Sequence, residues 1–309
     1  MIAPKPQKIL VICGPTASGK SELAIRLAHM LNAEIVNADS VQIYRGMDIG
    51  AAKPSLKERE GIPHHMLDVA DPDQSFSAAD FAEAAMEVIS GIAKRGRRAI
   101  VVGGSGLYIR SLLHGLANSP SASEEIREEL RKKAKESGNF YMLEQLRAVD
   151  PELAATIHPN NLARIIRGLE AHRLTGVPLS QIQREHGFAQ QRYANLKIGI
   201  RVERQELYNR IESRVDRMLA AGLAREADNL LQAGFSRELK AMRSIGYKEI
   251  CSFLAGELSL EEATFLIKRN SRRYAKRQFT WFRADTDIIW LEYPKNFAII
   301  SQHCTDFFA

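Results

Sequence analysis

Residues 8–21, KILVICGPTASGKS, constrain this chain more than any other stretch. Residues 9–13 form an unbroken apolar run of strand length, which reads as a buried strand. The run ends in Gly14-Pro15-Thr16-Ala17-Ser18-Gly19-Lys20-Ser21, which satisfies G-x-x-x-x-G-K-[ST] at every fixed position. The chemistry explains the spacing. Gly14 and Gly19 let the backbone turn N–H groups inward around phosphate oxygens. Lys20 adds a point charge, and the Ser21 hydroxyl can ligate Mg²⁺. A helix expected over residues 20–31 aims its positive N-terminal end at the same anion. The pattern predicts a phosphate or diphosphate site and does not distinguish ATP from a diphosphate.

The segments that follow alternate between strand and helix. Residues 34–37 read as a second strand that delivers Asp39-Ser40-Val41-Gln42 to the edge where an open α/β sheet places its ligands. A carboxylate there holds Mg²⁺ or takes a proton, or it caps the next turn; the residues alone leave both readings open. The glycine-rich segment 43–54 carries Tyr44, Arg45 and Lys53, which suit a substrate-holding loop. His64-His65 has no acidic or cysteine partner at ligand spacing, so a structural role is expected. Ser77 and Asp80 form a capping box before an apolar pattern of helical period over residues 79–93. Residues 96–104 read as a turn, a third strand and a glycine pair, with a helix from about Gly106. This alternation predicts a parallel, doubly wound sheet.

The composition changes at residues 119–124, SPSASE, a hinge-like linker. Residues 125–187 show helical patterns and no strand, which gives a helical insertion domain at 119–195 and a core from 1–118 and 196–309. Arg164 and Arg167 share a helix face, with Arg173 on the same helix. Residues 196–202 return to the sheet and three helices are expected after them. Arg210 and Arg214 lie four apart on the first, and Ser259-Glu262 caps the last. Residues 268–283 hold seven Lys or Arg, no acid and four aromatics, a pattern that suits a phosphate-backbone footprint with Phe279, Trp281 and Phe282 partly in the core. Residues 288–291 suit a closing strand. A net charge of +6 suits either a polyanionic partner or simply a basic soluble surface, and charge alone does not choose between them. The three cysteines are far apart and include no C-x-x-C, so no disulfide framework or zinc site is expected and a reducing cytoplasm fits. The N-terminus lacks an apolar signal region and no run of 18 apolar residues occurs, so no membrane partner is expected.

Taken together, these residues resemble the tRNA dimethylallyltransferase (tRNA isopentenyltransferase) family of bacterial type, over residues 9–283. The motifs that carry the resemblance are GPTASGKS, NADSVQIYRGMDIG with AKP, HHMLDVADP, GGSGLYIRSLL, RIIRGLEAHRLTG, RIESRVDRML, MRSIGYKE and RRYAKRQFTWFR. Ala51 and Ser105 stand where the family commonly has Thr. The resemblance implies a P-loop NTPase-like parallel sheet core flanked by helices, with an all-helical insertion that contacts tRNA. It also implies transfer of a dimethylallyl group from dimethylallyl diphosphate to N6 of the adenosine 3′-adjacent to the anticodon. Asp39 would be the general base, and Lys20, Ser21 with Mg²⁺, and Arg214 would hold the departing diphosphate. By the same matching, Asp39, Ser40, Val41, Gln42, Ser105, Arg127, Ala163, Arg164, Ile165, Ile166, Arg167, Arg243, Ser244, Ile245, Gly246, Tyr247 and Lys248 would contact tRNA. A cytoplasmic monomer that flips the target base from its stack is expected. A small-molecule P-loop kinase, an adenylate prenyltransferase and a non-catalytic RNA-binding P-loop protein are the competing readings.

Overall fold

The structure is a computed structural model and describes residues 6–116, 123–187 and 191–309. Short apolar runs bounded by glycine and polar turns become strands, and the amphipathic runs between them become helices. β1 (Lys8–Cys13) leads through α1 (Lys20–Leu31) to β2 (Ala33–Asn37) and β3 (His64–His65). Next come α2 (Ala78–Lys94), β4 (Arg98–Gly103) and α3 (Gly106–His114). Four consecutive helices follow: α4 (Glu124–Val149), α5 (Pro151–Ala155), α6 (Leu162–Thr175) and α7 (Leu179–His186). The chain then forms β5 (Ala194–Arg201), α8 (Arg204–Ala220), α9 (Leu223–Gln232) and α10 (Tyr247–Leu254). It closes with α11 (Leu260–Arg283), β6 (Ile289–Glu292) and α12 (Phe297–Phe308).

The six strands form one sheet in the order β3-β2-β4-β1-β5-β6, every pair parallel. β1 is central and almost wholly buried, which explains why its sequence is continuous rather than alternating. Leu10 and Ile12 point to one face, where Leu23, Leu27 and Leu31 of α1 pack with Ile300 and Cys304 of α12. The carboxyl ends of β1, β2 and β4 therefore share one edge, and the loops that leave them carry residues 14–19, Asp39 and Gly104-Ser105. Both expected capping boxes are formed. Ser77 accepts from Asp80 N while Asp80 accepts from Ser77 N, and Ser259 pairs likewise with Glu262.

Two compact units result, residues 114–191 and the remainder. The insertion boundaries drawn from composition, 119 and 195, differ from these. Arg192 N already donates to the Leu113 carbonyl at 3.1 Å, and Ala194 already pairs with Lys8 in the sheet. Most of the hinge-like linker lies outside the described residues; Ser123 within it N-caps α4 by accepting from Ile126 N. The helical unit has its own core, from Leu130, Met142, Leu146, Leu153, Ile165 and Leu169. α4 breaks at Gly138, whose φ is 82°. Fully buried Asp150 ties α5 to α7 by accepting from Leu153 N at 2.9 Å and from Ser180 N at 2.9 Å.

Sequence periodicity missed β3 and α12, and four helices rather than the expected three separate β5 from β6. β3 is two residues long, below the length at which alternation can be read. His64-His65 is held by its neighbours: His65 Nε2 lies 2.6 Å from Glu34 Oε2, and His64 Nδ1 lies 2.9 Å from the Ile62 carbonyl. Glu34, on the adjacent strand, was the acidic partner that linear spacing could not reveal.

Candidate active site

The site begins where β1 stops. Gly14, Ala17 and Gly19 all take positive φ (139°, 62° and 93°), and this curls residues 14–19 around a space at the N-terminus of α1. Ala17 bears the strain of that conformation as a non-glycine residue; it packs against Leu207, Ile211 and Ala275, which hold it there. Ser18 is fully buried. Lys20 Nζ donates to the Pro15 carbonyl at 2.6 Å, so the lysine closes over its own loop.

α8 supplies the opposite wall. Arg210, Arg214 and Arg217 recur at helical spacing and face the loop, and with Ala17, Ser18, Gly19, Lys20, Ser21 and Glu22 they line a cavity of 480 Å³. Arg210 is paired with Glu206 one turn earlier. Arg214 Nη1 donates to Thr16 Oγ1 at 3.1 Å. The cavity is strongly cationic before any ligand enters. Burial, with a further push from Arg214, lowers the Lys20 ammonium to about 8 against a pull upward from Asp39. Burial likewise lowers the Arg214 guanidinium, and Asp39 again opposes. An anion that entered would relieve both.

Arg214 also lines a second cavity, of 410 Å³, with Asp39, Ser40, Val41, Gly50, Ala51, Tyr274, Arg243, Ser244, Ile245, Gly246 and Lys248. Asp39 Oδ1 accepts from Val41 N at 2.9 Å and from Gln42 N at 3.3 Å. The carboxylate therefore caps the turn after β2 and also borders the cavity, so the two sequence readings of Asp39 are compatible. Ser105 Oγ accepts from Ser40 N at 3.1 Å and fixes this turn against the β4–α3 loop. Tyr274 lines the same cavity, and its hydroxyl is pushed up to about 12 by burial and then by Asp39.

The structure brings together Thr16, Asp39, Ser40, Val41, Arg214 and residues 243–246 with Lys248. Others it places differently. Tyr247 is fully buried and donates to Glu226 at 2.6 Å; Glu226 also accepts from the N–H groups of Asp48, Ile49 and Gly50 and so anchors that loop. Gln42 donates to the carbonyls of Ala51 and Ala52, both at 3.2 Å, while Gly246, though buried, still borders the cavity. Lys53, read as substrate-holding, donates instead to the Tyr44 carbonyl, Asp48 and Asp68, with its side chain only 4% exposed. Arg45 pairs with Asp71 and Tyr44 is buried. In the helical unit, Ile165 and Ile166 belong to the core and have no side-chain surface to offer RNA, whereas Ala163 and Arg164 are exposed. Arg127 and Arg167 both grip the fully buried Glu170, at 2.9 and 2.6 Å. Their guanidiniums are thus aimed by a carboxylate that sequence reasoning passed over.

The charges on residues 268–283 are not unopposed. Acids on α8 meet two of them: Lys268 pairs with Asp216 at 2.6 Å and Arg272 with Glu212 at 2.5 Å. Arg273, Lys276 and Arg277 remain exposed. Phe282 is buried, Phe279 lies against Trp290, and Trp281 keeps 45% of its surface exposed.

A parallel sheet whose central strand ends in this loop, with cationic and carboxylate cavities meeting at one arginine, defines a P-loop NTPase-like α/β protein. Residues 42–285 match the family described as IPP transferase. The chain is 68% identical over 308 residues to tRNA dimethylallyltransferase 1 of Pelobacter propionicus, with 100% of each chain covered. It is similar to the solved tRNA isopentenylpyrophosphate transferase of Bacillus halodurans, at TM-score 0.72 and 41% identity over 97% of this chain and 96% of that one. It is also similar to a eukaryotic dimethylallyltransferase captured acting on tRNA, at TM-score 0.76 and 30% identity over 93% of this chain and 74% of that one. The chain belongs to the IPP transferase family, the tRNA dimethylallyltransferases.

Proposed function

We propose that the chain transfers a dimethylallyl group from dimethylallyl diphosphate to N6 of the adenosine 3′-adjacent to the anticodon of tRNA, in the cytoplasm. The observation that carries this reading is the position of Arg214, which borders both the phosphate-loop cavity and the Asp39 cavity. A diphosphate in the first and an adenine in the second would bring the allylic carbon between them. The N6 lone pair forms the new C–N bond as the C–O bond to diphosphate breaks, and the N6 proton passes to Asp39. An exocyclic adenine amine is a poor nucleophile, so removing its proton as the bond forms lowers the barrier. Lys20, Arg214 and the loop N–H groups stabilise the charge that collects on the leaving diphosphate.

Mg²⁺ fits this arrangement. No cluster of three or more acidic, histidine or cysteine ligands exists among the described residues. The Ser21 hydroxyl, however, lines the phosphate cavity, and Mg²⁺ is commonly held by one or two protein oxygens together with phosphate oxygens and water. When bound, it would neutralise charge on the leaving group.

The test is nucleoside mass analysis of unmodified tRNA after incubation with the protein and dimethylallyl diphosphate. A mass gain on the adenosine beside the anticodon is expected. Phosphate transfer from ATP to a small molecule, with unaltered tRNA, would replace this reading by the kinase one.

A further inference from the structure

Gln278 is buried on α11, only 5% exposed, in the helix whose other polar residues largely face outward. Its amide spans two loops. Oε1 accepts from the Thr16 N–H at 2.8 Å, and Nε2 donates to the Gly104 carbonyl at 3.0 Å. The two bonds demand opposite roles, so the amide has a single orientation that satisfies both. The approach to the second loop is tight: a Cβ on Gly104 would stand 2.1 Å from Nε2.

Both loops carry machinery. On one side, the Thr16 hydroxyl accepts from Arg214, and the phosphate cradle begins at the next residue. The Thr16 N–H, being spent on Gln278, is not available to a phosphate. On the other side, Ser105 follows Gly104, donates its N–H to the Ala38 carbonyl at 3.2 Å and accepts from Ser40 N at 3.1 Å. Asp39 sits between those two anchor points. Tyr274, one helical turn before Gln278, faces the Asp39 cavity.

We propose that Gln278 is a positioning residue that sets the separation between the phosphate cradle and Asp39 by bridging Thr16 and Gly104. It touches neither substrate. It acts through two loops, and it makes their register a property of α11. This rests on the transfer reading for its kinetic consequence. Misplacement of reacting groups by about an ångström can cost on the order of 100-fold in rate. The variants should therefore lose rate with both substrates bound while each substrate binds alone nearly as before.

The experiment uses Gln278→Met, which keeps the shape and loses both bonds, with Gln278→Glu and Gln278→Ala. With tRNA and dimethylallyl diphosphate both saturating, the single-turnover rate of Gln278→Met should fall about 10- to 100-fold. The Kd values for pyrophosphate and for tRNA should each shift by less than about threefold, well under the tenfold that 1.4 kcal/mol represents. Gln278→Glu should be slow at pH 8, where an ionised carboxylate faces the Gly104 carbonyl, and should recover relative to wild type as the pH falls and the carboxyl donates. Hydrogen exchange supplies a readout that needs no reaction. Amides of residues 14–21 and 37–42 should exchange faster in the Met and Ala variants, with those of α12 unchanged. Unchanged turnover at saturation, binding lost in step with rate, or exchange raised uniformly through the core would overturn the proposal. If the wild type itself transfers no dimethylallyl group, the transfer reading has failed, and the coupling of the two loops is then decided by exchange alone.

Discussion

The cavities on either side of Arg214 are built in contrasting ways. The phosphate cavity draws one wall from the contiguous residues 17–22 and the other from a single face of α8. The Asp39 cavity draws on the loop after β2, the turn at Gly50-Ala51, the adjoining face of α8, the 243–248 segment and α11. Backbone geometry shapes the first: positive-φ positions and a helix N-terminus form the loop wall, and cationic side chains of one helix face it. The second needs side chains delivered from segments more than 200 residues apart to form a specific shape. The phosphate side is suited to grip a generic chemical group, and the other side to select one partner and position it for reaction.

This division predicts separable losses, beginning with the largest. Replacing Asp39 by Ala should lower single-turnover transfer by about 10²- to 10⁴-fold, the usual worth of a positioned base. Pyrophosphate binding should change little, since the phosphate wall is intact; rapid-quench assays and calorimetry check the two halves. A rate equal to wild type would remove Asp39 from the base role and dissolve the contrast between the cavities.

Lys20 sharpens the comparison through pH. Its ammonium titrates near 8 in the folded protein, against 10.5 ordinarily, because burial and Arg214 disfavour the charge. Below about pH 8 it is charged in both folded and unfolded chains, and the full penalty of burying it is present. Between 8 and 10.5 the unfolded chain binds more protons, so this group makes the ligand-free protein more stable as pH rises. Anion binding works in the opposite direction, because a bound diphosphate favours the charged lysine. Pyrophosphate affinity, expressed relative to the Lys20→Ala variant in the same buffers to cancel the ligand's own titration, should fall by up to about tenfold per pH unit above 8. A flat ratio from pH 7 to 10 would show that the lysine charge is not used for binding.

The fold was legible wherever structure is dictated locally. The phosphate loop, the strands around it and both capping boxes follow from residues within a few positions of one another. What sequence could not show was who meets whom. Lys53 looked available until Asp48 and Asp68 closed on it, and the charges of residues 268–283 looked unopposed until α8 brought Glu212 and Asp216 alongside. Ile165, Ile166 and Tyr247 lie within the motifs that carry the family resemblance, yet are buried. Glu170 and Gln278 escaped notice because a single buried polar side chain leaves no periodic trace. Only its partners disclose it.

That correction alters what α11 should do in tRNA binding. Arg273→Ala and Lys276→Ala should each reduce the slope of log affinity against log salt by about one unit or somewhat less, as lost phosphate contacts. Arg272→Ala should change the slope less, because Glu212 already compensates its charge. Filter binding across a salt series distinguishes the three. The smallest effect is expected at Lys53. Lys53→Met should cost about 1–2 kcal/mol of stability in thermal or denaturant unfolding, since both acids it meets are substantially exposed, and should leave transfer near wild type at temperatures where the variant is folded.

The glycine tract at the end of β4 has a consequence for how sequences of this kind can vary. A side chain at Gly103 would meet the Ala38 carbonyl at 2.0 Å, one at Gly104 the Gln278 amide at 2.1 Å, and one at Gly106 the indole of Trp281 at 2.1 Å. Each glycine is the cast of a different neighbour. The first neighbour is backbone and offers no partner to change, so a substitution at Gly103 has no compensating route. The other two neighbours are side chains on one helix, so drift at Gly104 or Gly106 should occur only in step with a smaller residue at 278 or 281. Paired libraries at 106 and 281, scored for folded yield, would measure that coupling as epistasis rather than as the intolerance of a single site.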